Sequence, residues 1–133
     1  MRTAGKSVAP GWTSKIGLLG EELAVRHLED QGYTILERRY RFRNGEVDIV
    51  ARHNDQLIFV EVKTVNLRNR KMSSFGEPES WVTRRKQTFL IASAQHYLWK
   101  NKISEVACRF DVITVRLQQP SPAVNHLIDA FRP

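Results

Sequence analysis

The centre of the fold is predicted by residues 45–65, GEVDIVARHNDQLIFVEVKTV. Two segments rich in β-branched residues, 46–53 and 56–65, flank Asn54-Asp55, a dipeptide typical of tight turns. The pattern therefore predicts an antiparallel hairpin. Its second strand is apolar apart from Glu61 and Lys63, and two charged residues inside such a strand need an explanation.

The predicted turn places two carboxylates side by side. If Asn54-Asp55 is a two-residue loop, His53 pairs with Gln56, and counting back sets Asp48 opposite Glu61. Their Cβ atoms would then lie about 5 Å apart. Facing carboxylates repel each other, so a shared proton, a nearby cation or a bound divalent metal must offset the repulsion.

The same hairpin also has a plainer interpretation. If Asn44-Gly45 forms a second two-residue loop, Arg41 lies opposite Asp48. The Asn54-Asp55 loop also sets Glu46 opposite Lys63, so with both loops the face carries exposed ion pairs, which contribute little to stability. From these residues alone, a metal site and a charged surface both remain open.

A helix predicted over residues 15–31 supplies a third carboxylate. At about 100° per residue, Glu21 projects within the apolar face beside Ala24, whereas Glu22 lies on the polar face. A carboxylate on a buried face is costly unless it is paired. Glu21 therefore either joins the metal site or forms a salt bridge with an arginine of the sheet.

The remaining patterns complete one mixed α/β domain over residues 15–133, preceded by a flexible tail, 1–14. The predicted order is α-β-β-β-α-β-β, with a polar, mobile loop at 66–79. The other predicted elements are strands at 33–43, within 105–117 and at 124–131, and a helix at 80–101.

Composition narrows the class of partner. The chain has 133 residues and a formal net charge of +7, with 21 Lys and Arg against 14 Asp and Glu. Such a surplus favours polyanions, most often nucleic acid. The single cysteine excludes an internal disulfide and a cysteine-based zinc site. Because no signal peptide or apolar segment of roughly 20 residues is present, we expect a cytoplasmic protein without a membrane partner.

Three basic runs lie next to the predicted hairpin or loop, and each could contact phosphates or be a solvated charged surface. The candidate nucleic-acid-binding residues are Arg39, Arg41, Arg43, Arg68, Arg70, Arg85 and Lys86. Asp111, inside an apolar strand, is expected to pair with a basic side chain near the proposed site or to lie at a sheet edge. Trp99 is expected to pack in the core rather than to stack on bases.

The motifs occur in a recognisable order: Gly17-x-x-Gly20-Glu21, Gly45-Glu46-x-Asp48 and Glu61-Val62-Lys63. This arrangement resembles the PD-(D/E)XK nuclease superfamily and, more narrowly, the YraN-like family of small bacterial proteins. That family resembles archaeal Holliday junction resolvases in its core. The resemblance implies a restriction endonuclease-like αβββαβ core, a mixed sheet flanked by two helices. It also implies hydrolysis of nucleic-acid phosphodiesters that depends on Mg²⁺ or Mn²⁺.

The resemblance also implies roles for individual residues. Asp48 and Glu61 would ligate the metal, with Glu21 as a direct or water-mediated third ligand. Lys63 would orient the attacking water or stabilise charge in the transition state, completing a catalytic set of four. A proline often precedes the aspartate in the superfamily, and Gly45-Glu46 stands there in this chain. DNA is favoured over RNA, and resolvase-like relatives imply branched DNA and a homodimer.

Two other functions remain open from the sequence. One is a non-catalytic nucleic-acid-binding module that keeps the nuclease fold. The other is an assembly factor acting through residues 66–79.

Overall fold

The computed structural model describes residues 11–67 and 82–133, and the predicted order of elements is confirmed. The helices and strands are α1 (Gly11–Asp30), β1 (Thr34–Phe42), β2 (Gly45–His53), β3 (Gln56–Asn66), α2 (Arg84–Lys100), β4 (Ala107–Leu117) and β5 (Ala123–Phe131). Helix α1 thus includes the last four residues of the predicted tail, and residues 1–10 lie outside the described part. Most of the predicted loop, with Arg68 and Arg70, also lies outside it.

The five strands form one mixed sheet in the order β1-β2-β3-β4-β5. Strands β3 and β4 are parallel, and the other neighbours are antiparallel. Because parallel neighbours need a crossover connection, α2 lies between them in the chain. The mixed α/β class is confirmed, and the order is consistent with an αβββαβ core. Neither described helix is both long and apolar enough to cross a membrane.

Each helix covers one face of the sheet. Helix α1 packs Ala24 and Leu28 with Ile49 and Val60, all of them buried. On the opposite face, α2 packs against the sheet through Leu90, Ala94 and Tyr97. The sheet residues in this second core include Phe59 and Val50. The central strands are therefore buried from both sides, which explains their nearly continuous apolar sequence.

Turn propensity predicted the β2–β3 loop correctly and the β1–β2 loop incorrectly. His53 pairs with Gln56, so the Asn54-Asp55 loop is confirmed. Phe42 pairs with Gly45, so the other loop is Arg43-Asn44 and the predicted Asn44-Gly45 loop is wrong.

Tertiary packing explains the difference. A Cβ at Gly45 would lie 2.8 Å from Cζ of Phe89. The glycine therefore serves as a strand residue beneath the Phe89 ring, and Arg43 takes the positive φ of 56° that the turn requires.

Gly20 sets the closeness of α1 to β3. A Cβ at this position would lie 1.9 Å from Oγ1 of Thr64. We expect Gly20→Ala to lower the free energy of unfolding by about 1–3 kcal/mol, because the helix must move off the sheet.

Gly17, on the same helix, is the matched control. Among the described residues, no neighbouring atom lies within 4 Å of the place that a Cβ would take there. Gly17→Ala should therefore stabilise the protein by up to about 1 kcal/mol through helix propensity. Urea unfolding of the two variants checks this, and equal effects would contradict it.

Candidate metal and nucleic-acid site

Strands β2 and β3 part at Asp48. Their backbone pairing ends at Ile49 with Val60, one step short of the predicted Asp48–Glu61 pair. From there Oδ2 of Asp48 accepts a hydrogen bond of 2.7 Å from the backbone N–H of Val62. The side chain thus replaces a backbone acceptor, and the carboxylate lies between the two strands.

The alternation of β2 also changes at this residue. Val47 and Val50 both lie in the core beneath α2, whereas Ile49 lies in the core beneath α1. A regular strand would place Val47 and Ile49 on the same face. The irregularity is local to Asp48 and allows its side chain to turn toward β3.

Glu61 lies beside Asp48 and is almost fully buried, with 5% of its surface exposed. Nζ of Lys63 lies 3.3 Å from Oε2, and Nζ of Lys86, in the first turn of α2, lies 3.7 Å from Oε1. Within the described part of the chain, Oε1 has no hydrogen-bond partner. Glu61 therefore keeps one oxygen available to a further cation.

The charges of the two carboxylates are coupled. Burial, and then the negative charge of Glu61, raise the pKa of Asp48 to about 8, with a smaller contribution from Glu21. The Val62 N–H and Lys86 oppose this rise in pKa. The raised pKa favours the protonated form of Asp48 in the metal-free protein. A divalent cation would displace that proton and balance both carboxylates.

Glu21 forms ion pairs with two arginines of β1. It is 6% exposed, against 44% for the side chain of Glu22, so the helical projection is confirmed. Its Oε1 lies 2.7 Å from Nη2 of Arg39 and 3.0 Å from Nη2 of Arg38. The salt-bridge interpretation of Glu21 is therefore what the structure shows.

Residues 11–67 and 82–133 contain no group of three or more His, Cys, Asp or Glu arranged to hold a metal ion. The fit for a metal rests on Asp48 and Glu61 alone. Mg²⁺ commonly keeps several waters and takes only one or two protein carboxylates. Asp48 and Glu61, with a buried oxygen that lacks a hydrogen-bond partner among the described residues, fit this coordination. Direct ligation by Glu21 stays a prediction.

The predicted place of Arg41 is wrong. Because the β1–β2 loop lies one residue earlier than predicted, the pairings from Phe42 back to Glu37 shift by two, and Arg41 lies opposite Glu46. Nη1 of Arg41 lies 2.8 Å from Oε2 of Glu46. Arg38 pairs with Ile49 and Tyr40 pairs with Val47, so the residue across from Asp48 is Arg39. Arg39, not Arg41, is the sheet arginine nearest the carboxylates along the pairing.

The other candidate phosphate-binding residues lie on α2, in the β1–β2 turn and outside the described residues. Lys86 touches Glu61, as described, while Arg85 is on α2 beside it. Arg43, in the β1–β2 turn, places its guanidinium carbon 4.9 Å from the centroid of the Phe42 ring. Arg68 and Arg70 lie outside the described residues. The structure thus brings Lys63, Lys86 and Arg39 around the carboxylates and leaves Arg41 and Arg43 on the β1–β2 hairpin.

The raised pKa of Asp48 predicts a stability that depends on pH. Between the unfolded-state pKa of about 3.9 and the folded-state pKa of about 8, the folded state binds more protons, so stability falls as pH rises. Asp48→Asn keeps an oxygen acceptor for Val62 and never ionises. We expect it to stabilise the metal-free protein by about 1 kcal/mol or more at pH 8.5, and by much less below pH 4.

Urea unfolding in EDTA at the two pH values measures this difference. Asp55→Asn, which alters an exposed carboxylate in the β2–β3 turn, is the matched control and should show no such trend. A stability gain of equal size at both pH values would contradict the assigned pKa direction.

Comparison with known proteins places this arrangement in a family. A model of the uncharacterised protein family UPF0102 matches residues 20–115, which include all four predicted catalytic residues. A UPF0102 protein of Alkaliphilus oremlandii is 44% identical over 119 residues, covering 88% of this chain and 97% of the relative. One of Trichlorobacter lovleyi is 46% identical over 118 residues, covering 87% and 89%. One of Clostridioides difficile is 40% identical over 115 residues, covering 86% and 95%.

Proposed function

This chain belongs to the uncharacterised protein family UPF0102, and we propose that it is a metal-dependent endonuclease that hydrolyses nucleic-acid phosphodiester bonds. One observation carries the proposal. Asp48 and Glu61 are brought together where β2 and β3 part, and a buried oxygen of Glu61 has no hydrogen-bond partner among the described residues. Such a pair is costly unless a cation or a proton balances it.

The chemistry expected of the pair follows from its donors. Asp48 and Glu61 would hold Mg²⁺ or Mn²⁺, hard cations that prefer carboxylate oxygens. When bound, such a cation polarises a phosphoryl oxygen and lowers the pKa of a nearby water. Since burial and the charge of Glu61 raise the pKa of Asp48, metal binding should release protons, and metal affinity should rise with pH.

The protein's own cations would position the substrate. Lys63 and Lys86 flank Glu61 from two different elements, and each side chain is about one-third exposed. Their ammonium groups can therefore reach a phosphate while staying close to the carboxylates. Positive charge held in advance near a scissile phosphate stabilises the charge that develops there during hydrolysis.

The substrate we propose is DNA, with branched DNA preferred, and the protein would act as a homodimer. These finer statements rest on the resemblance of the motif set to resolvase-like nucleases and on the net charge of +7. The charge supports a nucleic-acid partner by itself.

Cleavage assays and calorimetry together test the proposal. Purified protein is incubated with branched and linear DNA, and with RNA, in Mg²⁺, in Mn²⁺ and in EDTA. We expect cleavage only with a metal, and we expect heat of Mn²⁺ binding that is lost in Asp48→Asn. Absence of cleavage from every substrate, together with no Mn²⁺ binding, would refute the endonuclease function.

A second candidate is a nucleic-acid-binding module without catalysis. It is favoured by the ion pairs that already hold Glu61 to Lys63 and Lys86, and Glu21 to Arg38 and Arg39. This candidate predicts salt-sensitive DNA binding that is the same in EDTA and in Mn²⁺, with no cleavage in either.

A further inference from the structure

A ridge of aromatic side chains runs along α2, away from the carboxylates. Its members, which we call the aromatic ridge, are Phe89, Phe42, His96 and Trp99. Ring centroids lie 6.0 Å apart for Phe89 and Phe42, 5.0 Å for Phe42 and His96, and 5.7 Å for His96 and Trp99. Three members come from α2, and Phe42 is contributed by the end of β1.

The outer end of the aromatic ridge is exposed. Trp99 has 76% of its surface exposed, the most of any large hydrophobic side chain among the described residues. This corrects the expectation that Trp99 packs in the core. An indole so far from the core contributes little to stability by burial, while its exposed face can accept another planar ring.

The inner end of the aromatic ridge meets the candidate site. Nζ of Lys86 lies 5.0 Å from the centroid of Phe89 and also 3.7 Å from Oε1 of Glu61. Thirteen residues separate Lys86 from Trp99, which is about 20 Å along a helix. Around the helix axis the two side chains lie roughly 140° apart at 100° per residue. A flexible polymer that reaches the carboxylates would therefore cross α2 obliquely, over Phe89 and His96, to reach Trp99.

Basic side chains accompany the rings over this distance. Besides Lys86, the guanidinium of Arg43 lies over Phe42, and Nζ of Lys100, next to Trp99, lies 5.6 Å from the centroid of Tyr40. Aromatic faces alternating with cations are what proteins use to bind single strands, because bases stack on the rings while phosphates meet the charges. The same charges would repel across a twofold contact between two copies of this face.

We propose that the aromatic ridge binds the unpaired bases of a single-stranded nucleic-acid segment, with Trp99 as the outermost stacking position and Lys86 guiding the backbone toward the carboxylates. The inference rests on the proposed function, since it names the part of the substrate that the same site receives. In a duplex the base faces are hidden by neighbouring bases, so the aromatic ridge selects substrates that carry a single-stranded arm or gap.

Binding of short oligonucleotides in EDTA, where no cleavage occurs, tests the proposal. Fluorescence anisotropy compares labelled oligo-dT with an abasic oligonucleotide of the same length and charge. Wild-type protein should bind oligo-dT roughly tenfold more tightly or better, and Trp99→Ala should lose that preference while binding the abasic strand unchanged. Trp99→Phe should retain most of it. Ile128→Ala, which removes an exposed apolar side chain from β5, is the matched control and should behave as wild type.

Several results would overturn the proposal. Equal affinity of wild type for both oligonucleotides, or an unchanged preference in Trp99→Ala, would show that the ridge does not stack bases. A wild-type dimer that dissociates in Trp99→Ala without any base preference would assign the ridge to self-association. If either result accompanies metal-dependent cleavage by wild type, the proposed function stands and only the ridge proposal fails. No binding to any nucleic acid at low salt would end both.

Discussion

Glu61→Gln is expected to reduce the rate of DNA cleavage at saturating Mg²⁺ by roughly a thousandfold or more. The amide keeps the shape of the side chain but removes the charge that, with Asp48, would hold the cation. A bound metal contributes several kcal/mol of transition-state stabilisation, and about 4 kcal/mol corresponds to a factor of 10³ in rate. Single-turnover cleavage of a labelled branched substrate measures the effect directly.

A matched control separates chemistry from folding. Glu37 is an exposed carboxylate on β1, so Glu37→Gln removes the same charge from another strand of the sheet and should leave the rate nearly unchanged. Circular dichroism and urea unfolding should show that Glu61→Gln is folded. Equal cleavage by wild type and Glu61→Gln would show that the activity comes from elsewhere, including from a contaminating nuclease.

The register of the site could be predicted only where the turn alone determines it. Asn54-Asp55 forms the loop that its propensity indicates, and pairing from His53–Gln56 follows as far as Ile49–Val60. At Asp48 the strands part, and no turn rule predicts a carboxylate that replaces a backbone acceptor. At the first turn, propensity predicted an Asn44-Gly45 loop. Gly45 is instead a strand residue beneath the ring of Phe89, which is far away in sequence.

Burial could be predicted better than pairing. Helical projection separated buried Glu21 from exposed Glu22, because both lie on one regular helix. The partners of Glu21, Arg38 and Arg39, depend on the β1–β2 register, which sequence reasoning placed two residues away. Lys86 reaches Glu61 only through the docking of α2, and no local pattern encodes that approach.

The family was predictable because its motifs are local and ordered. Membership of UPF0102 confirms the resemblance to the YraN-like family. The placement in the nuclease superfamily stays a prediction, since it concerns chemistry that only the cleavage and metal-binding experiments address.

The largest effect on stability is expected at Asp111, whose side chain is completely buried. Its Oδ2 lies 2.8 Å from Nη2 of Arg109 and 2.7 Å from Nε2 of His126, and Oδ1 accepts the backbone N–H of Asp129 at 3.0 Å. The sequence left open a basic partner near the site or an edge position, and the structure shows basic partners on β4 and β5, Arg109 and His126. Through these contacts one carboxylate ties β5 to β4.

Burial alone would raise the pKa of Asp111, but hydrogen bonds from His126 and Arg109 outweigh it and lower the pKa. A carboxyl whose pKa is lower in the folded state stabilises the fold above its unfolded-state pKa of about 3.9. That contribution is lost as the pH falls through the folded-state pKa. The ion pair therefore stabilises the protein at neutral pH and not in strong acid.

Asp111→Asn should accordingly lower the free energy of unfolding by about 3–5 kcal/mol at pH 7, because it leaves the largely buried Arg109 without its counter-charge. Urea unfolding at pH 7 and at the lowest pH where wild type stays folded should show the difference between the two proteins shrinking in acid. Asp129→Asn, which breaks an exposed pair with Arg132 on the same strand end, should change little at either pH. If the two substitutions had equal effects, or if the loss at Asp111 were the same in acid, the buried carboxylate would not be what holds β5 in place.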